Sequence, residues 1–187
     1  TAEAMSRLIP IYVALEKDVG QHTYASIGIE NEFIFTDAAR KRIEKHAAEL
    51  VTQVNQTTKR RIAKALSDGV AEGESIAKMA KRLDEVFGRR KRDTKTIART
   101  EVGTGATRAS IEAVKQSGSK RLKRWITARD GNKVRDDHVE MEGVTVELDE
   151  LFELPDGSRG EGPSDPRLAA GERINCRCSL IYPRATK

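Results

Sequence analysis

Over most of the first 116 positions apolar residues recur at intervals of three and four, the spacing that puts one face of a helix against a core. In Met5–Val19 the apolar set is Leu8, Ile11, Tyr12 and Leu15, disturbed by Pro10, which lacks the amide hydrogen a helix uses. Residues 20–35 keep no period and carry Gly20 and Gly28, so they read as a loop or short irregular element. Thr36-Asp37 offers a helix cap, and Ala38–Val54 follows with Ile43, Ala47, Leu50, Val51 and Val54 in step. A further helix spans about Thr57 to Ser67, with Ile62, Ala65 and Leu66 inward. Asp68-Gly69 predicts a break there, unless the helix runs on to Glu72 before Gly73. Glu74-Ser75 opens Ile76–Phe87, whose Ile76, Met79, Ala80, Leu83 and Phe87 share a face and which Gly88 stops. The last helix is Asp93 to about Gln116. Its Gly103 and Gly105 each lower helical propensity by about 1 kcal/mol relative to Ala, and two in one turn predict a kink or a close backbone contact.

At Ser117-Gly118-Ser119 the period changes from helical to alternating. Lys123–Ala128 reads as a strand carrying the single Trp, Trp125; Val144–Leu148 alternates as a half-buried strand does; Ser179–Tyr182 reads as a closing strand ended by Pro183. Between them, residues 155–171 concentrate proline and glycine, a loop composition. The fold class is therefore α+β: a mainly helical region over 1–119, then a small β-containing α+β module over 120–187. A module of that size has a marginal core, and such modules often recruit a metal or a partner surface.

Charge sharpens the division. Residues 1–57 carry 6 basic and 8 acidic groups, net −2; residues 58–124 carry 19 and 8, net +11; residues 125–187 carry 9 and 13, net −4. The overall +5 thus conceals a strongly basic middle segment, which includes the connector Arg89-Arg90-Lys91-Arg92. A polyanion or an acidic protein surface fits it, and so does an ordinary solvated helix face. Aromatic residues are only 4% of the chain, too few for a stacking platform on single-stranded nucleic acid. No stretch reaches the roughly 18 apolar residues of a membrane span, so no membrane partner is expected. Two cysteines one residue apart do not make the disulfide framework of a secreted domain, which points to a reducing compartment.

The chemistry-bearing residues lie in the C-terminal module. Cys176 and Cys178, with His138 upstream, supply three of the four donors of a tetrahedral zinc site. Asp130, Asp136, Asp137, a water or another chain would supply the fourth. Against this stands the spacing: alternate positions of a strand share a face only while the strand is regular, and a C-x-C pair must turn its backbone to converge on one ion. The plainer reading packs the thiols as small hydrophobes beside a hydrogen-bonded histidine. The polar run Asp130–His138 allows a second chemistry, with His138 as a general base whose tautomer a carboxylate fixes, or as part of a metal-dependent nuclease. No nucleophile elbow, phosphate-cradling glycine loop or His-Glu-x-x-His helix accompanies it. A tight turn at Asp130-Gly131, with Arg135 paired to an acid, explains the same residues without catalysis. In Ile97-Ala98-Arg99-Thr100-Glu101, an Arg99–Glu101 pair is a candidate anchor between the helix and the module; a solvent-facing polar helix accounts for the same residues.

Taken in order, Ile97-Ala98-Arg99-Thr100-Glu101, Trp125 with Thr127, Asp130 with Val134-Arg135 and His138, Gly143, Phe152 and Asn175-Cys176-Arg177-Cys178 resemble the phage Mu F-like minor head, or head-morphogenesis, proteins. The resemblance covers about residues 70–183. Met141 departs from it, standing where a Leu is usual, as does the Gly-rich loop 156–163. What it implies is a non-enzymatic, low-copy virion component, assembled in the bacterial cytoplasm. Such a protein associates with the portal, with other capsid or scaffold proteins or with the procapsid interior, and in some cases assists DNA exit. The basic middle segment then suits packaged DNA or an acidic portal surface. The alternatives from the residues alone are a metal-dependent nuclease or hydrolase centred on His138, and a zinc-stabilised nucleic-acid-binding module.

Overall fold

The structure, a computed structural model, describes residues 2–52, 56–87, 91–129 and 133–185. Helices α1 (Ala2–Ser26), α2 (Asp37–Thr52), α3 (Gln56–Ala71), α4 (Ile76–Phe87) and α5 (Lys91–Gln116) come first. They are followed by β1 (Leu122–Ile126), α6 (Asp136–Glu140), β2 (Thr145–Glu147), β3 (Phe152–Glu153), β4 (Arg159–Gly160), α7 (Ala170–Arg173) and β5 (Ser179–Ile181). The chain is α+β, with helices first and a small antiparallel sheet module after them. Among the described residues no helix is long and apolar enough to cross a membrane.

The residues group into two compact units, one of residues 1–18 and 34–99, the other of residues 19–33 and 100–187. The grouping does not follow the change of texture at 119/120, because the end of α1 and most of α5 supply the apolar faces that cover the sheet module.

In the first unit Leu8, Tyr12, Ile43, Ala47 and Ala63 form a buried cluster, with Tyr12 edge-on to His46 at 5.2 Å between ring centres. Thr36 caps α2 as its sequence predicts, its hydroxyl accepting the Ala39 amide at 3.1 Å. The predicted break at Asp68-Gly69 is absent and α3 runs on to Ala71. Gly69 serves another purpose: a Cβ there would lie 2.5 Å from Met79 Cγ, so the glycine lets α4 pack closely on α3. Arg82 of α4 closes the α3–α4 turn by donating to Glu74 Oε2 at 2.7 Å and to Glu72.

The second unit shows the same use of glycine. Residues 20–26, expected to be irregular, continue α1, and Gly20 makes room for the Phe33 ring, 2.5 Å from a Cβ built there. Phe33 packs edge-on against Tyr24, 5.7 Å between ring centres. Likewise Gly103 marks a close approach within a continuous α5: its Cβ would meet Ser164 Oγ at 2.7 Å. One and four residues further along the helix from Gly103, the Thr104 and Thr107 hydroxyls donate to the carbonyls of Ser164 (2.8 Å) and Pro163 (2.6 Å). Loop 163–164 is thereby held against the helix. Gly103→Val is expected to cost about 1–3 kcal/mol through overpacking, read as a lower denaturant midpoint; an unchanged midpoint would show that the loop does not dock here.

Sheet order is β2-β1-β5, with β1 central and both pairings antiparallel, Lys123 opposite Val146 and Trp125 opposite Leu180. β3 and β4 form a separate hairpin. The predicted loop 155–171 therefore contains β4 and the start of α7, both too short to leave a periodic trace. Period-two alternation along β1 puts Lys123 and Trp125 on one face, and both are fully buried. Trp125 centres a cluster with Met141, Phe152, Leu154 and Leu168. Lys123 Nζ donates to the Glu161 carbonyl at 2.9 Å and lies 5.3 Å from the centre of the Phe152 ring. Burial lowers its pKa to about 8.

Asp165 stitches loop 161–167 together, accepting the Glu161 amide at 2.7 Å, the Arg167 amide at 2.9 Å and the Arg167 guanidinium at 2.7 Å. Burial pushes its carboxyl up, but the Arg167 side chain and those two amides outweigh it and hold the group below the usual carboxylate range. The folded state thus favours the ionised form, and its stabilising effect is full above about pH 4 and fades as pH falls through the lowered folded value. Asp165→Asn is accordingly expected to destabilise at pH 7, and its deficit against the parent chain to shrink in acid melts. A deficit independent of pH would contradict this.

Candidate metal centre

Three short elements meet beside Trp125. α6 carries His138, which is buried to 1% exposure with its ring edge-on to Trp125 at 5.3 Å. Thr127, just past β1, fixes that helix: its hydroxyl donates to the His138 carbonyl and its amide to Glu142 Oε2, each at 2.6 Å. Gly143, in the left-handed region at φ +78°, turns the chain back so that its amide reaches the Trp125 carbonyl at 2.9 Å.

Residues 174–178 bring in the cysteines without forming a strand. Asn175 takes φ +60°, a conformation that asparagine tolerates better than most residues. Its amide donates to Thr100 Oγ1 at 2.9 Å. This turn resolves the difficulty of the C-x-C spacing, because both thiols now face one imidazole nitrogen. Cys176 Sγ is 3.6 Å and Cys178 Sγ 3.4 Å from His138 Nδ1. The Cys178 amide also points at Cys176 Sγ at 3.4 Å. The Cys176 thiol holds Cys178 toward thiolate, with His138 adding to the effect against the opposing influence of burial, while the Cys178 sulfur pushes Cys176 up. On its other side His138 Nε2 is 2.9 Å from Glu172 Oε2 of α7, at an angle too oblique for a full hydrogen bond. Neither of these buried atoms has another hydrogen-bond partner among the described residues.

Alongside lies a cavity of about 190 Å³ lined by Ala128, Lys133, Val134, Arg135, His138, Asn175, Arg177 and Cys178. Its arginines brace the loops around it, Arg135 donating to the Ile174 carbonyl and Arg177 to that of Lys133 at 3.1 Å.

The structure brings the sequence-predicted His138, Cys176, Cys178, Trp125, Arg135 and Asn175 into one locality. Asp130 lies outside the described residues. Asp136 and Asp137 stand in the first turn of α6 and do not join the metal-competent cluster, which among the described residues is His138, Cys176 and Cys178. Arg99 and Glu101 are half-buried, and the intervening Thr100 accepts the Asn175 amide. Arg89 and Arg90, and the side chains of Lys91 and Arg92, lie outside the described residues. Sequence reasoning missed Glu172 and Thr100. Glu172 is a lone acid in a four-residue helix, and Thr100 lies inside the Ile97–Glu101 motif, where the candidate roles go to the charged Arg99 and Glu101. His138 thus stands with Nδ1 on the two sulfurs and Nε2 beside the Glu172 carboxylate.

The family model described as Phage Mu protein F like protein matches residues 60–181, which takes in α4 to β5 and every residue of this cluster. The chain belongs to the Phage Mu F-like family. Among curated relatives, the NAD(+)–arginine ADP-ribosyltransferase EFV of Enterococcus faecalis is 29% identical over 90% of this chain and 33% of its own length. YqbB of Bacillus subtilis is 30% identical over 62% of this chain and 38% of its own length. The minor head protein GP7 of Bacillus phage SPP1 is 27% identical over 76% of this chain and 44% of its own length. The chain therefore spans between a third and under half of each relative it matches. No solved structure matches it.

Proposed function

We propose that this Mu F-like chain acts in phage head morphogenesis, as a non-enzymatic, low-copy component of the virion head that docks on the portal or the inner face of the procapsid. The observation that carries this reading is the family match over residues 60–181, reinforced by the similarity to a protein named as the SPP1 minor head protein. Co-purification of the chain with the portal protein of its own phage tests the docking directly; a chain that joins heads without touching portal or procapsid shell would contradict it.

The basic segment 58–124, net +11, is the part proposed to contact packaged DNA. Binding to duplex DNA is expected to weaken as salt rises, with a logarithmic slope near −0.9 for each phosphate neutralised. Replacing Arg89, Arg90, Lys91 and Arg92 together by glutamine should flatten that slope by about 3–4, measured by fluorescence anisotropy across a salt series. Affinity that is absent, or indifferent to salt, would sink the DNA contact while leaving the docking role to its own test.

A further inference from the structure

We propose that His138 Nδ1, Cys176 Sγ and Cys178 Sγ bind a zinc ion, that Glu172 fixes the imidazole from behind, and that the ion's fourth position opens on the cavity beside Arg135 and Arg177. The inference stands independently of the head-assembly reading.

Geometry is the first support. Zinc bonds of about 2.3 Å to sulfur and 2.0–2.1 Å to nitrogen at a tetrahedral angle separate the two donors by about 3.5 Å. The separations found are 3.4 and 3.6 Å, and the three donor atoms all lie within 4.8 Å of one another. Donor chemistry is the second support. Two thiolates and an imidazole are a soft set that favours zinc over magnesium or calcium.

The third support is the buried pair behind the ring. His138 Nε2 and Glu172 Oε2 lie 2.9 Å apart without a full hydrogen bond, and buried polar groups left in that state call for a cause. A metal on Nδ1 would place the ring proton on Nε2 and draw positive charge to it. The Glu172 carboxylate is positioned to receive that N–H, the arrangement by which an outer carboxylate orients a ligating histidine. Two thiolates and Glu172 would together exceed the charge of the ion, and the cationic groups of Lys133, Arg135 and Arg177 around the cavity offset that excess. Among the described residues no fourth donor joins the three, and two of the ligand residues, His138 and Cys178, line the cavity wall. The remaining position therefore takes solvent or a small exchangeable donor.

Metal analysis of the 187-residue chain, purified without chelator from zinc-supplemented cells, should find about one zinc per chain, lost in Cys178→Ser. Because such variants also risk misfolding, the unaltered chain is titrated with cobalt(II) in parallel. Tetrahedral d–d bands with a thiolate-to-cobalt charge-transfer band are expected. A folded chain that takes up neither metal, or a cobalt spectrum lacking the thiolate band, would overturn the site. Glu172→Gln should still bind one zinc at saturation, with an unchanged circular dichroism spectrum, but about 10–100-fold more weakly; unchanged affinity removes Glu172 from the proposal. Imidazole added to the cobalt form should shift the d–d bands, and a spectrum that ignores it would show the fourth position to be closed.

Discussion

Trp125→Ala is expected to cost about 3–5 kcal/mol of folding stability, the range for deleting a large aromatic side chain from a packed core. Trp125 is fully buried on the central strand, edge-on to both His138 and Phe152 at 5.3 and 5.5 Å, with Met141, Leu154 and Leu168 closing the cluster. Its removal opens a cavity where the sheet, the β3–β4 hairpin and α6 meet, and none of these short elements can collapse far to fill it. Set against a total stability of about 5–15 kcal/mol for an ordinary domain, the loss leaves the second unit largely unfolded or close to it. Urea unfolding followed by far-ultraviolet circular dichroism reads the effect, since the substitution removes the only tryptophan fluorophore. Val139→Ala, on the same α6 but 55% exposed, should change stability by no more than about 0.5 kcal/mol. A Trp125→Ala chain within about 1 kcal/mol of the parent would mean that the core lies elsewhere.

The second large effect follows from the proposed zinc centre. A ligand held only by the folded state stabilises it by RT ln(1 + [L]/Kd), about 2.7 kcal/mol at a hundredfold excess over Kd. For a unit of this size that corresponds to a fall in melting temperature of roughly 10 °C or more on chelation. The effect should be large here because the donors tie α6 to the segment leading into β5, which the sheet alone joins only through three-residue pairings. Calorimetry with and without a strong chelator measures it, and in a His138→Ala chain the two traces should coincide. Equal melting temperatures for the parent chain in zinc and in chelator would remove the stabilising role.

Long amphipathic elements were legible because their period repeats. Helix α4 lies at its predicted bounds, Thr36 caps α2, and the three strands of the main sheet fall where alternation puts them. Glycine was where reading failed. Gly20 and Gly69 look like helix breaks in the sequence, yet each makes room for a distant side chain, Phe33 or Met79, and that reason exists only once the chain is folded. The candidate site divides in the same way. His138 and the two cysteines announce themselves by residue type, but the turn at Asn175 that lets both sulfurs face one nitrogen is a backbone fact. Glu172 reaches His138 across 34 positions of chain, a separation at which spacing carries no signal. Lys123 counts toward the basic segment 58–124 in the sequence, and its place on the Trp125 face of β1 puts it in the interior.

The proposed role makes the chain a component of the phage head. Quantitative mass spectrometry with chemical cross-linking, applied to purified procapsids and mature heads of the phage that encodes it, tests this most directly. A few copies per particle are expected in both, with cross-links from the second unit or the basic segment to the portal or the inner shell. Heads that assemble and package normally while containing none of the protein would contradict it.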